Sequence, residues 1–200
     1  MDDATQIKVQ NHIKNLWDTV ITAEHNHDIW WIYKSKDTRS KFLETMNDYV
    51  SFFQSSIHAH FVAMIIALYR LYETRRDTIN IPRLLQLLEQ HHSLSDDAVT
   101  SINDLIAQAK PIWIKVGIIR SDIFAHLTNE RSIEESFDKA EIKYGQFKEL
   151  IELSKKITNA IGQGYNRNTH AFNLTSEIDT KALLTDLWNY RDLKIAKNNE

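Results

Sequence analysis

The chain has no cysteine, and its 200 residues include only four glycines and two prolines. Without cysteine there can be no disulfide bond, no catalytic thiolate, no Cys-ligated zinc and no iron–sulfur cluster. Sheet proteins need many turns, and turns draw heavily on glycine and proline. The shortage of both residues therefore predicts a few long elements, which are helices.

Long apolar runs are also missing. The longest uncharged apolar run, residues 61–69, is followed by Arg70, whereas a helix that spans a membrane needs roughly 20 apolar residues. We expect this run to be a buried core helix. Residues 1–5 are acidic and polar, unlike a signal peptide. These observations predict a cytoplasmic protein that has no membrane partner.

An excess of positive charge is absent too, because 24 Lys and Arg residues stand against 27 Asp and Glu, for a net charge of -3. Proteins that bind long nucleic acids without sequence preference are usually basic over a broad surface. The composition argues against that class, but it allows a small basic site within an acidic surface.

Apolar residues recur at helical spacing through most of the chain, which predicts an all-α fold. Because the helices are long and their connections short, we expect an antiparallel bundle. Pro111 should kink or split one of its helices, and Gly162 and Gly164 should end another. The four long helices are expected at about residues 5–35, 41–73, 95–127 and 144–161.

Two shorter helices complete this prediction. Asn80 is expected to cap a short inserted helix that has Pro82 in its first turn. We predict that residues 1–165 form the helical bundle, and that residues 166–200 form a linker and an appended C-terminal amphipathic helix. That helix packs on its own bundle, or on a partner or a second copy.

The nine histidines do not predict a metal site. None of them has the i, i+4 spacing of metal-binding pairs on helices. His25 and His27 are two residues apart, as are His58 and His60, so neither pair shares a helix face. We expect neither a metal nor another cofactor.

Residues 120–126 hold the polar groups with the most specific chemistry. Arg120 shares an angular stripe with Val116 and Ile123, and a guanidinium beside a core stripe is costly unless it is paired. We therefore expect Arg120 at an interface, in a cleft or in a buried ion pair. His126 lies about 120° further around the helix, within the range over which a long arginine side chain can converge with it.

Carboxylates stand four residues before and after His126, at Asp122 and Glu130. Residues at this spacing share a helix face, and a nearby carboxylate would orient the imidazole and favour its protonated form. A protonated histidine can serve as a general acid. Ordinary surface pairs on a helix have the same spacing, so both interpretations stay open.

An arginine, a polar residue and then a histidine a few positions later resemble the signature of the HEPN superfamily. Arg120, Ser121 and His126 occupy these three positions. The chain is most similar to the abortive-infection group of the AbiU type, in residues 67–72 and 77–85 and in the order of its elements. The resemblance covers residues 5–161.

This resemblance implies a metal-independent endoribonuclease with a role as a toxin or in phage defence. In such enzymes the 2′-hydroxyl of RNA attacks the adjacent phosphorus and leaves a 2′,3′-cyclic phosphate. Arg120 would bind the phosphate and stabilise the charge of its transition state. His126 would be the general acid or base, with Ser121 and Asp122 as supporting polar groups.

The resemblance also implies a homodimer in which two copies of Arg120 and His126 meet, with RNA as substrate and a cognate antitoxin or regulator protein as a further partner. Two alternatives stay open. The acidic pI and Ser121 favour a non-catalytic HEPN module that binds RNA, a nucleotide or a partner protein. A helical scaffold in which Arg120 forms a buried ion pair is the other alternative.

Overall fold

The structure is a computed structural model that describes residues 1–75, 77–125 and 133–198. Within these residues every regular element is a helix, so the predicted all-α class is confirmed. The eight helices of the described residues are α1 Asp3–Lys34, α2 Lys36–Asp48, α3 Val50–Tyr72, α4 Ile81–Gln90, α5 Asp96–Ala125, α6 Ile133–Ala140, α7 Tyr144–Asn166 and α8 Ser176–Asn198.

The chain forms two compact units. We call Met1–Glu24 with Ile65–Phe172 the bundle unit, and His25–Met64 with Asn173–Glu200 the terminal unit. Helices α1 and α3 each contribute residues to both units. The predicted division of the chain near residue 165 stays a prediction.

The core of the bundle unit forms where α5 packs against α6 and α7. Its buried side chains are aliphatic or aromatic and come from every long helix of the unit. Each such side chain stabilises the fold by roughly 1.5–3 kcal/mol relative to leaving it in water. Among those that are fully buried are Leu16, Leu68, Leu84, Ile102, Ile119, Phe147 and Leu150.

The terminal unit has its own core, in which α8 packs against α2. At the edge of this contact Arg191 reaches two carboxylates, Glu44 at 2.7 Å and Asp48 at 3.1 Å. The appended helix is therefore in contact with its own chain. The buried residues of this core are Ile32, Tyr33, Phe42, Met46, Phe53 and Leu184.

One predicted feature of the long helices is wrong. The helix expected at residues 41–73 breaks at Tyr49, whose N–H binds the Met46 carbonyl at 3.2 Å instead of continuing the helical pattern. A one-residue break leaves the apolar stripe almost unchanged, so periodicity does not reveal it. Helix α5 runs through Pro111 without splitting, and the predicted kink at Pro111 stays a prediction.

The two glycines of α7 do not end the helix, contrary to the prediction. The helix passes Gly162 and Gly164 and ends before Arg167, which has left-handed backbone geometry with φ 60°. A Cβ atom at Gly162 would lie 2.5 Å from the Asn168 carbonyl oxygen and 2.9 Å from the Trp17 ring. Glycine here permits close packing against the chain.

The predicted cap of the short inserted helix is confirmed, because Asn80 Oδ1 accepts from the Arg83 N–H at 2.8 Å. The Asn80 N–H in turn donates to Nε2 of buried His12 at 3.1 Å. Burial lowers the pKa of His12 below its ordinary 6.5, although its contact with the Asn80 backbone opposes that shift. His12 therefore contacts the backbone at the start of α4 from a buried position.

Helix α3 has the length and composition that a membrane span requires, and no other helix of the described residues does. A core helix of a water-soluble protein can have the same length and composition. Its side chains at Phe53, Phe61, Met64 and Leu68 are buried within the protein. The predicted absence of a membrane partner and the cytoplasmic location stay predictions.

Candidate functional site

The last turns of α5 present two different faces. Val116, Ile119 and Asp122 are buried, whereas Arg120 and Ser121 are exposed. The buried positions follow the three-residue step of a helix face that packs on α6 and α7. The predicted segment is therefore divided between the core and the surface.

Arg120 lies on the surface of the bundle unit, with its guanidinium carbon 4.7 Å from the centre of the Tyr69 ring. Within the described part of the chain it makes no pair with a carboxylate. The prediction of a buried ion pair is wrong, because Arg120 is exposed and the buried face of the helix runs through Ile119 and Asp122 instead. The prediction of an interface stays a prediction.

The Tyr69 ring beneath Arg120 is itself fixed by α5. The Trp113 ring stacks on it with 5.9 Å between the ring centres, and the Trp113 indole N–H donates to the Tyr69 carbonyl at 3.2 Å. That carbonyl belongs to the last turn of α3, where helix carbonyls lack partners within the helix. The Trp113 indole thus gives a carbonyl of the last turn of α3 a hydrogen-bond donor, and it holds the Tyr69 ring on which Arg120 rests.

Asp122 turns inward, with a side chain that is only 5% exposed. Its Oδ1 accepts from Lys139 of α6 at 2.7 Å, and its buried Oδ2 has no hydrogen-bond partner among the described residues. The histidine that Asp122 was expected to orient, His126, lies outside the described residues, and so does Glu130. The supporting role of Asp122 therefore stays a prediction, as does that of exposed Ser121.

The structure joins the predicted residues to two that sequence reasoning missed, Tyr69 and Lys139. Tyr69 directly follows Leu68, which lies on the buried apolar stripe of the helix, so Tyr69 itself lies off that stripe. An aromatic residue in such a position is the signal that could have marked it. Lys139 gives no such signal, because a surface lysine is the ordinary residue of a short polar helix. No group of three potential metal ligands occurs in the described residues.

The comparisons with known proteins decide the family. A family model described as AbiU2, of the HEPN class, matches residues 7–184. The chain belongs to the AbiU2 family of HEPN proteins. No curated protein and no solved structure matches it.

Membership of this family confirms the resemblance that Arg120, Ser121 and His126 suggest. It is consistent with the helical bundle, and it supports an abortive-infection or ribonuclease module. The matched range extends beyond α7 into the first half of α8. The family assignment does not depend on the motif residue His126 alone, because the match covers most of the chain.

Proposed function

We propose that this AbiU2-family chain is a metal-independent endoribonuclease that acts as a toxin or in phage defence. The reaction is attack of a 2′-hydroxyl on the adjacent phosphorus, which expels the 5′-oxygen and leaves a 2′,3′-cyclic phosphate. Arg120 stabilises the charge that grows on the non-bridging oxygens. His126 transfers a proton to or from the reacting oxygens.

The observation that carries this proposal is the state of Arg120. Its guanidinium is exposed, rests on an aromatic ring and has no carboxylate partner within the described chain. Arg75 provides the contrast, because Asp77 accepts from its Nε at 3.1 Å and from its Nη2 at 2.7 Å. The donors of Arg120 are left for a ligand, and a guanidinium fork matches the oxygens of a phosphate.

A homodimer fits the surface around Arg120. Ile66, three residues before Tyr69 on α3, is 40% exposed, and Ile114, six residues before Arg120 on α5, is 49% exposed. Exposed large apolar side chains beside a functional group are typical of an interaction surface. We propose that a second copy covers this surface and brings two Arg120 side chains to one RNA phosphate.

The test is cleavage of labelled RNA in EDTA by the wild-type protein and by His126→Ala. We expect wild type to cut the RNA and His126→Ala to be slower by about 10²–10⁴-fold, the usual contribution of general acid–base catalysis. Arg39→Ala is the matched control for the separate Arg120→Ala variant, because Arg39 is also exposed on a helix but lies in the terminal unit.

Equal cleavage by wild type and His126→Ala would mean that the activity comes from another site or a contaminant, and it would contradict the proposal. Absence of cleavage by a folded wild-type protein would favour the non-catalytic module that binds RNA, a nucleotide or a partner protein. The pairing of Asp122 with Lys139 is the observation that favours this second function. One oxygen of the carboxylate that was expected to orient His126 is already bound to a lysine. A toxin of this class also needs a cognate antitoxin or regulator protein, which we propose as a partner.

A further inference from the structure

The Tyr69 ring lies close to three residues of α5 that share one helix face. Trp113, Gly117 and Arg120 follow each other at intervals of four and three residues. The Tyr69 ring stacks on the Trp113 ring, with 5.9 Å between their centres, and lies beside Gly117. The guanidinium carbon of Arg120 lies over the same ring, 4.7 Å from its centre. A Cβ atom at position 117 would lie 3.6 Å from Tyr69 Cε2, so glycine leaves room for the ring to lie close to the helix.

This contact restrains Arg120 without consuming its donors. An exposed arginine samples many rotamers, and ordering it costs conformational entropy at the moment a ligand binds. A guanidinium stacked on a ring uses its face, whereas its five N–H groups point outward in the plane of the fork. A carboxylate partner would occupy those same N–H groups. The ring is therefore the kind of support that keeps a phosphate-binding arginine ordered and available.

The ring of Tyr69, rather than its hydroxyl, carries this support. The ring is held by Trp113, and its backbone carbonyl accepts from the Trp113 indole at 3.2 Å. The hydroxyl has no hydrogen bond within the residues that the structure describes. Phenylalanine should therefore replace tyrosine here with little loss, and a branched aliphatic side chain should not.

We infer that Tyr69 is a positioning residue that orders the Arg120 guanidinium for the RNA phosphate, an inference that rests on the proposed ribonuclease function. Tyr69 does not touch the reacting atoms in this role. It acts through Arg120, so its contribution exists only while Arg120 is present.

The test is a double-mutant cycle on kcat/KM for a short RNA, with Tyr69→Leu, Arg120→Ala and the double variant. We expect Tyr69→Leu to lower kcat/KM by about tenfold, the size of a cation–π contact, because Arg120 must then be ordered when the RNA binds. Tyr69→Phe should stay within about twofold of wild type. In the Arg120→Ala background, Tyr69→Leu should have no further effect. Circular dichroism and thermal unfolding of each variant establish that it is folded.

A second variant keeps the test decisive if Tyr69→Leu does not fold. Gly117→Leu keeps the tyrosine at position 69 but places a side chain in the space that its ring occupies, and we expect the same loss of kcat/KM. The chemical shift of the Arg120 Nε–H gives a readout without RNA, because a ring current from Tyr69 displaces it. We expect that displacement in wild type and Tyr69→Phe, and its loss in Tyr69→Leu.

Additive losses in the cycle would overturn the role of Tyr69 and leave the ribonuclease function intact. An Arg120 Nε–H chemical shift that is the same in Tyr69→Leu as in wild type would do the same. A folded wild-type protein that cuts no RNA, or an Arg120→Ala variant as active as wild type, would overturn the proposed function and this role with it. The two failures are thus distinguished by the response to Arg120→Ala.

Discussion

Two charged centres of the bundle unit differ in how their charges are neutralised. At Glu24 a carboxylate that is 7% exposed receives two lysines, Lys148 at 3.0 Å and Lys155. At Arg120 an exposed guanidinium rests on an aromatic ring and meets no carboxylate within the described residues. We call Glu24 the closed centre, because lysines of its own chain pair with it, and Arg120 the open centre, because its N–H donors stay available for a ligand.

This difference separates charges that serve the fold from charges that serve a ligand. A buried carboxylate destabilises the protein if its partners are removed, because its desolvation is then uncompensated. An exposed arginine gives the fold little, because surface substitutions usually change stability by less than about 0.5 kcal/mol. We therefore expect substitutions at the two centres to have opposite effects on stability and on activity.

The largest expected effect is on catalysis at the open centre. Arg120→Ala should lower the RNA cleavage rate by about 10²–10³-fold, the usual loss when one transition-state donor is removed. Its free energy of unfolding should stay within about 0.5 kcal/mol of wild type. Cleavage rates and urea unfolding of the same preparations measure both. An Arg120→Ala variant that unfolds would contradict the assignment of Arg120 to a ligand rather than to the fold.

The closed centre should respond in stability instead. Lys155→Met leaves Glu24 with Lys148 as its remaining lysine partner and should cost about 2–3 kcal/mol in unfolding free energy, less than the 3–5 for a fully isolated buried charge. The matched control is Lys181→Met, whose exposed pair with Glu177 at 2.5 Å should be worth about 0.3–0.5 kcal/mol. Equal losses in the two variants would contradict the role of Glu24 and its lysines in stabilising the fold.

A buried group without a countercharge should make stability depend on pH. The pKa of His12 is lowered by burial, so the unfolded chain takes up a proton first as the pH falls below about 7. The free energy of unfolding should therefore fall with pH through 6.5, and then level off once the pH is below the folded-state pKa.

Urea unfolding between pH 7.5 and 5 measures this slope, and His12→Gln should reduce it. His60 contributes to the remaining slope, because burial lowers its pKa as well. A His12→Gln variant with the wild-type slope would contradict the assignment of this pH dependence to His12.

The smallest effect is expected beside the open centre. Gly117→Ala should stabilise the protein by about 0.5–1 kcal/mol, the cost of glycine inside a helix. The added Cβ would lie 3.6 Å from Tyr69 Cε2, which is ordinary contact, so the cleavage rate should not change. Thermal unfolding and the RNA assay test both statements, and a loss of cleavage would mean that even a methyl group displaces Tyr69.

The helices and their caps could be predicted from sequence because their causes are local. The cap at Asn80 follows from one side chain and the N–H groups three residues on, and it is confirmed. The break at Tyr49 is as local but leaves no trace in the apolar pattern. The glycines of α7 were misread because their reason is tertiary, namely the closeness of Trp17 and Asn168.

The candidate site divides in the same way. The family signature located Arg120, Ser121 and His126, and the family assignment is confirmed. The sequence left open whether Arg120 is exposed or forms a buried ion pair, since a position at the edge of an apolar stripe can turn to either side. Its partner Tyr69 lies on a different helix, and a contact between distant residues cannot be derived from spacing along one helix.

The most direct test of the account compares an RNA oligonucleotide with a DNA oligonucleotide of the same sequence, both labelled and incubated with the full chain in EDTA. Attack by the 2′-hydroxyl predicts that only the RNA is cut, and that its fragments end in a 2′,3′-cyclic phosphate. Cleavage of the DNA, or RNA fragments that end in a 3′-hydroxyl, would contradict it.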